Sequence, residues 1–148
     1  ELLSPQADTI TCLDISERVV EAGRKRLKDC SNVRFEIGDM HELPVDNDSV
    51  DTVLLMHALT YTTRAQRVFK EAYRVLRPGG RLLAATLLKH AHKNAVAAYD
   101  HQNLGFTQAQ MHRICEKAGL EKQNLQVSAV EKRTPNFKVL TLLAVKPA

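Results

Sequence analysis

The order of apolar patterns along the chain constrains its fold more than any other feature. Short apolar, β-branched runs, which predict strands, alternate with segments whose apolar residues recur at helical spacing. The predicted strands occupy residues 9–13, 33–37, 50–56, 81–88, 125–130 and 137–145. Such alternation favours an α/β fold with a mainly parallel sheet.

Cap residues mark where the predicted helices begin and end. Ser16 is a good N-cap for the helix after the first strand, and Thr107 with Gln110 forms a capping box that opens the last one, for which Gly119 is the predicted C-cap. Residues 63–76 form an amphipathic helix between them. The run 50–56 is nearly all apolar after Asp51, so we expect a strand buried on both faces at the centre of the sheet.

The end of the chain departs from parallel order. Residues 131–136 alone separate the last two strands. A parallel crossover needs about a dozen residues or more, so these strands should form an antiparallel hairpin. This argues against a nicotinamide-dependent dehydrogenase, the alternative enzyme for such a sheet, because that fold prefers a parallel sixth strand.

Two carboxylates follow neighbouring predicted strands. In open α/β sheets ligands bind at the carboxyl ends of strands. The strand 9–13 leads to Asp14 and Ile15, the strand 33–37 to Asp39 and Met40, and the strand 50–56 to His57. One carboxylate can accept both hydroxyls of a ribose and the other an exocyclic amine, while the apolar side chains face the base. Either carboxylate taken alone fits a capping role in a loop equally well, but the paired placement of the two favours ligand binding.

These residues resemble the class I S-adenosylmethionine-dependent methyltransferases. The matching segments, in order, are Leu13-Asp14-Ile15-Ser16, Gly38-Asp39-Met40-His41-Glu42-Leu43-Pro44, Ser49-Val50-Asp51-Thr52-Val53, Leu76-Arg77-Pro78-Gly79-Gly80 and the closing hairpin. Together they cover the whole chain. Residues 104–107 and the helix ending at 117–120 resemble more narrowly a methyltransferase domain fused behind arsenical-resistance-type DNA-binding regulators of bacteria.

The resemblance implies S-adenosylmethionine as cofactor, a Rossmann-like sheet and methyl transfer to a small molecule. By position, Asp14 would bind the ribose, Ile15 would pack on the adenine, Asp39 would meet the adenine amine with Met40 beside it, and His57 would lie near the methionine portion. His57 is also the candidate catalytic base. The family's first strand and Gly-rich loop have no counterpart here, so we expect residues 1–148 to be a partial domain that binds cofactor weakly alone.

A cofactor-sensing or dimerising module of a transcription regulator is the alternative from another class. It would bring an upstream DNA-binding domain and a homodimer, without turnover. Direct contact of this segment with nucleic acid is not expected, because the basic residues 24–28 suit a solvated helix face. Three widely spaced cysteines and no apolar run long enough for a membrane favour a cytoplasmic protein.

The histidines His90, His92 and His101 raise the question of a metal. Two of them are spaced to share one face of a strand, but no carboxylate or cysteine completes a ligand set. We therefore expect no metal, and predict instead that residues 89–104 line the substrate pocket, because they leave a strand at its ligand-binding end.

Overall fold

The computed structural model describes residues 2–148, which form two compact units divided after Pro44. The first unit contains strand β1 (Ile10–Asp14), helix α1 (Glu17–Arg26) and strand β2 (Val33–Ile37). The two strands pair in parallel, with Ile10 opposite Val33 and Asp14 opposite Ile37. The predicted cap is confirmed, because Ser16 Oγ accepts a hydrogen bond from the Val19 N–H at 3.4 Å.

The second unit contains a four-stranded sheet. Its helices and strands in chain order are β3 (Val50–Met56), α2 (Ala65–Val75), β4 (Leu76–Leu87), α3 (Lys93–Val96), α4 (Gln108–Lys117), β5 (Glu121–Val130) and β6 (Lys138–Val145). The strand order is β3-β4-β6-β5. β3 pairs with β4 in parallel, whereas β6 runs antiparallel to both β4 and β5. Three of the four strands therefore share one direction.

This topology confirms the predicted fold class. The sheet is mostly parallel, and β5 and β6 form the antiparallel hairpin that the short connection required. The core of the second unit lies along α2, β4 and β6, where the side chains that are at most 1% exposed include Val68, Phe69, Ala72, Val75, Leu82, Leu140 and Leu142. The capping box of α4 is also present, with Thr107 and Gln110 bonded reciprocally.

One burial prediction is wrong. Strand β3 has the predicted bounds, but Leu54 is 42% exposed and Met56 is 64% exposed. The reason is position: β3 lies at the edge of its sheet, with β4 as its paired neighbour. The apolar pattern indicated a strand correctly, but the place of that strand in the sheet depends on distant pairing.

Several boundaries also differ from prediction. Helix α2 ends at Val75, because Leu76 turns to an extended conformation and β4 begins there, before Pro78. Ala118 is the C-cap of α4, and Gly119 follows it with a φ of 87°. Strand β5 begins at Glu121, since its polar first residues are held by pairing with β6.

The buried thiol of Cys115 allows a prediction about reactivity. Cys115 is 0% exposed, its Sγ donates to the Leu120 carbonyl at 3.4 Å, and burial raises the pKa of this thiol to about 11. In a Cys12→Ser, Cys30→Ser variant, we expect Ellman's reagent at pH 8 to label Cys115 only as fast as the protein unfolds. The complementary variant that keeps only the half-buried Cys30 should label much faster. Equal labelling rates in the two variants would contradict the buried placement.

Candidate functional site

The first carboxylate of the site lies at the tip of β1. Asp14 is the last residue of the strand, and its Oδ1 accepts a hydrogen bond from the Ser16 N–H at 2.8 Å. Its carbonyl accepts the Gly38 N–H at 3.1 Å, which ties this tip to the end of β2. Within residues 2–148, Asp14 Oδ2 has no hydrogen-bond partner, so one oxygen is fixed while the other can bind a ligand.

The second carboxylate repeats this local arrangement at the end of β2. Asp39 Oδ1 accepts the His41 N–H at 2.8 Å and lies 2.5 Å from His41 Nδ1. The Asp39 carbonyl accepts the Glu42 N–H at 3.1 Å. Both carboxylates therefore cap the backbone two residues ahead, which is the local role that the sequence left open. Capping also fixes the orientation of each carboxyl group.

Each carboxylate is followed by an apolar residue within its turn. Ile15 is 75% exposed, and Met40 is half-buried. Since Asp14 lies opposite Ile37 in parallel pairing, the residues that follow these two positions leave the sheet on the same side. The first unit thus presents two carboxylates and two apolar side chains at the carboxyl ends of its two strands.

His57 belongs to the second unit, whereas the other predicted cofactor-binding residues belong to the first. It follows β3 directly and adopts a positive φ of 57°. Its N–H donates to the Ala85 carbonyl at 2.7 Å, and its carbonyl accepts the Thr60 hydroxyl at 2.8 Å. The backbone is therefore anchored while the imidazole is exposed.

The segment that follows β4 is held in place by backbone pairing. Lys89 N–H donates to the Phe106 carbonyl and His90 N–H to the Leu104 carbonyl, each at 3.0 Å. The amide of Asn103 donates to the carbonyls of Leu59 and Thr62 at 2.7 and 2.9 Å. A cleft of about 430 Å³ opens along this segment, lined by Lys93, Val96, Ala97, Asp100, His101, Gln102, Asn103 and Leu104.

Rings that are distant in sequence surround the histidines of this segment. The ring centroids of His90 and Phe137 are 4.7 Å apart, and those of His101 and Tyr61 are 5.4 Å apart. Sequence patterns missed these neighbours, and only the spacing of His90 and His92 hinted at a cluster. Among residues 2–148, no group of three or more His, Cys, Asp or Glu side chains is arranged to hold a metal ion.

Among the helices of residues 2–148, none combines the length and the apolar character that a membrane-spanning helix requires.

The mostly parallel sheet with an antiparallel β6 defines a Rossmann-like α/β protein. A family described as "Methyltransferase domain" matches residues 1–84, more than half of the chain. The chain therefore belongs to this methyltransferase family, and the predicted resemblance to class I S-adenosylmethionine-dependent methyltransferases is confirmed.

Proteins related in sequence agree with this membership. The ubiquinone/menaquinone biosynthesis C-methyltransferase UbiE of Pseudomonas entomophila is 32% identical over 108 residues, which cover 71% of this chain and 42% of that protein. The arsenite methyltransferase of Halobacterium salinarum is 33% identical over 81 residues, covering 53% of this chain and 21% of that protein. The chain thus spans less than half the length of either relative.

Among solved structures, a methyltransferase in complex with the Haloferax volcanii Trm112 activator is similar in fold. The TM-score is 0.83 at 22% identity, and the match covers 99% of this chain and 76% of that one. At this identity the likeness shows the fold alone.

Proposed function

We propose that this chain forms part of an enzyme that transfers a methyl group from S-adenosylmethionine to a small-molecule acceptor. The observation that carries the proposal is the pair of capped carboxylates, Asp14 and Asp39, at neighbouring ends of the parallel strands β1 and β2. Family membership identifies the cofactor that such a pair would hold.

The residues present fit an adenosine. Asp14 Oδ2, which has no hydrogen-bond partner among the described residues, is an acceptor for ribose hydroxyls, and the exposed Ile15 offers an apolar surface for the adenine. Asp39 would accept from the adenine amine, with Met40 against the ring. His57 would lie near the methionine portion, a role supported only by its place after β3.

Catalysis in this proposal depends mainly on alignment. When bound, S-adenosylmethionine supplies a sulfonium methyl group, whose transfer to a nucleophile breaks the C–S bond and leaves the electron pair on sulfur. The protein then has to hold the acceptor in line with that methyl group and exclude water. An acceptor with a proton of high pKa also needs a base, for which His57 is the candidate.

The names of the relatives and the strand directions help to choose among the candidate functions. Both relatives are named as methyltransferases, one in quinone biosynthesis and one for arsenite, which supports a small acceptor. The antiparallel pairing of β6 with β4 and β5 disfavours a nicotinamide-dependent dehydrogenase. No feature of the described residues favours a purely sensory module over an enzyme.

The test is made on the intact gene product that contains residues 1–148. We expect calorimetric titration to detect S-adenosylmethionine binding and no NADH binding. Incubation with methyl-labelled cofactor should move label to arsenite or to a simple benzoquinol. Binding of NADH alone would overturn the proposal. Cofactor binding without transfer to any small acceptor would replace it with the sensory function.

A further inference from the structure

Two segments of the second unit meet at the carboxyl end of β4. One is the stretch that follows this strand, residues 88–93, and the other connects β5 to the start of β6, residues 131–138. The Leu88 N–H donates to the Lys138 carbonyl at 2.8 Å, so backbone pairing extends past the end of β4 and joins the two segments. Side chains of both segments therefore contribute to one surface.

This surface contains an excess of positive charge. We call it the basic surface, and its five cations, all exposed, are Lys89, Lys93, Lys132, Arg133 and Lys138. Glu131 is the one acidic residue of the two segments, which together have a net charge of +4. The whole chain also has a net charge of +4, so the rest of it carries 16 positive and 16 negative residues. The charge imbalance of the protein is concentrated at this place.

The cations of the basic surface are not neutralised within the protein. Among residues 2–148, none of the five forms an ion pair. By contrast Arg74, Arg77 and Lys146 of the same unit each pair with a carboxylate at 2.9 Å or less. A local excess of one sign of charge attracts ligands of the opposite sign. The basic surface therefore favours an anionic partner.

A stack of rings lies between the two segments. His92 stacks on His90 with centroids 5.7 Å apart and an interplanar angle of 21°, and the centroids of His90 and Phe137 are 4.7 Å apart. Burial, with His92 and His101 nearby, lowers the pKa of His90, which keeps this inner ring neutral at pH 7. His92 is exposed, so another flat ring can continue the stack from its outer side.

Cations combined with an exposed ring select the class of partner. Lysine and arginine contact the phosphates of nucleic acids, while unpaired bases stack on histidine and aromatic side chains. In a duplex the bases stack on one another, so a base is free to stack on the protein only in a single strand. The expectation of no nucleic-acid contact was drawn from residues 24–28 of the first unit, whereas the basic surface lies in the second.

We infer that the basic surface binds single-stranded nucleic acid, with phosphates on its lysine and arginine side chains and a base stacked on the exposed ring of His92. The surface belongs to a different unit from the carboxylates Asp14 and Asp39. The inference goes beyond the proposed function and does not depend on it, because it requires neither cofactor nor turnover.

Fluorescence anisotropy with the intact gene product tests the inference. The probes are a thymidine and a uridine oligonucleotide of about 12 residues, and an abasic oligomer of the same length that keeps only the phosphates. Stacking of one base should make either base-containing strand bind at least about fivefold more tightly than the abasic oligomer. Equal affinity for the abasic oligomer, or no binding of either strand, would overturn the inference. Phosphatidylserine vesicles that bind when neither strand does would replace it with a membrane surface.

A double variant tests the cations. Lys132→Ala with Arg133→Ala should weaken thymidine binding about 25-fold at 0.1 M salt, because each phosphate contact of a single strand contributes about 0.7 to the slope of log affinity against log salt. The slope itself should fall by about 1.4. Arg113→Ala with Lys117→Ala is the matched control, since these exposed residues lie on α4, which precedes the opposite end of β5. Equal effects of the two double variants would overturn the inference.

His92→Ala tests the ring. It removes the exposed imidazole but keeps the backbone N–H that donates to His90 Nδ1 at 3.2 Å. We expect affinity for the thymidine strand to fall about fivefold while affinity for the abasic oligomer stays unchanged. His112→Ala, which removes an exposed histidine of α4, should change neither affinity. A parallel loss for both oligomers in His92→Ala would contradict stacking.

Two outcomes separate this inference from the proposed function. S-adenosylmethionine binding without binding of either strand would overturn the inference and leave the function standing. Strand binding that depends on Lys132, Arg133 and His92, without cofactor binding, would support the basic surface while the proposed function fails.

Discussion

Replacing Asp14 with asparagine should lower the affinity of the intact gene product for S-adenosylmethionine about 10- to 100-fold. Hydrogen bonds to a charged acceptor are worth about 1.5–3 kcal/mol, and the substitution removes the charge while keeping the shape. The asparagine Oδ1 can still accept the Ser16 N–H, so the turn after β1 should persist. Isothermal titration calorimetry measures the change directly.

Asp29→Asn is the matched control for Asp14→Asn. Asp29 is an exposed carboxylate of the same unit and lies outside the strand ends, so its substitution should leave cofactor affinity unchanged. Both variants should keep their stability within about 0.5 kcal/mol by urea denaturation. If Asp14→Asn binds cofactor as tightly as the unchanged protein, Asp14 has no part in the site.

Replacing Gly105 with alanine should destabilise the second unit by about 2–5 kcal/mol. Gly105 has a φ of 81°, and an added Cβ would lie 2.5 Å from the Leu87 carbonyl oxygen and 2.8 Å from that of Leu88. The left-handed conformation costs an alanine about 1–2 kcal/mol, and crowding against the backbone adds about 1–3 kcal/mol. Urea denaturation gives the free energy of unfolding.

Gly79→Ala separates the two causes. Gly79 has nearly the same φ, 78°, but nothing lies within 4 Å of an added Cβ. It should therefore lose only the conformational part, about 1–2 kcal/mol. The difference between the two variants measures the backbone crowding that holds residues 104–106 against the end of β4. Equal losses would show that this contact has little energetic weight.

Local sequence patterns were enough to locate the strands but not to predict their burial or their pairing partners. Val33–Ile37 and Val50–Met56 have the predicted bounds, because β-branched and apolar runs limited by polar residues are local features. The exposure of Leu54 and the early start of β5 at Glu121 depend on pairing with distant strands. Antiparallel pairing of β6 was predictable, because loop length alone required it.

The candidate site was predictable to a similar degree. Asp14 ends β1 and Asp39 follows β2. These strands are consecutive in the chain and parallel, so strand order alone predicts that both carboxylates lie at the same end of the strand pair. The ring contacts of His101 with Tyr61 and of His90 with Phe137 were not predictable, because each joins segments that only the folded chain brings together. The backbone hydrogen bond between His90 and Leu104 helps to position these histidines, and no local sequence pattern predicts this bond.

The position of β6 has a consequence for synthesis of the protein. Residues 138–145 lie between β4 and β5, so β5 has no partner until they have been made. The chain emerges from the ribosome with its N-terminal end first. The edges of β4 and β5 that pair with β6 therefore stay unpaired until β6 has been synthesised. During that interval both edges are open to pairing with other chains. Chaperone capture of stalled nascent chains should therefore be strongest for those halted between β5 and β6.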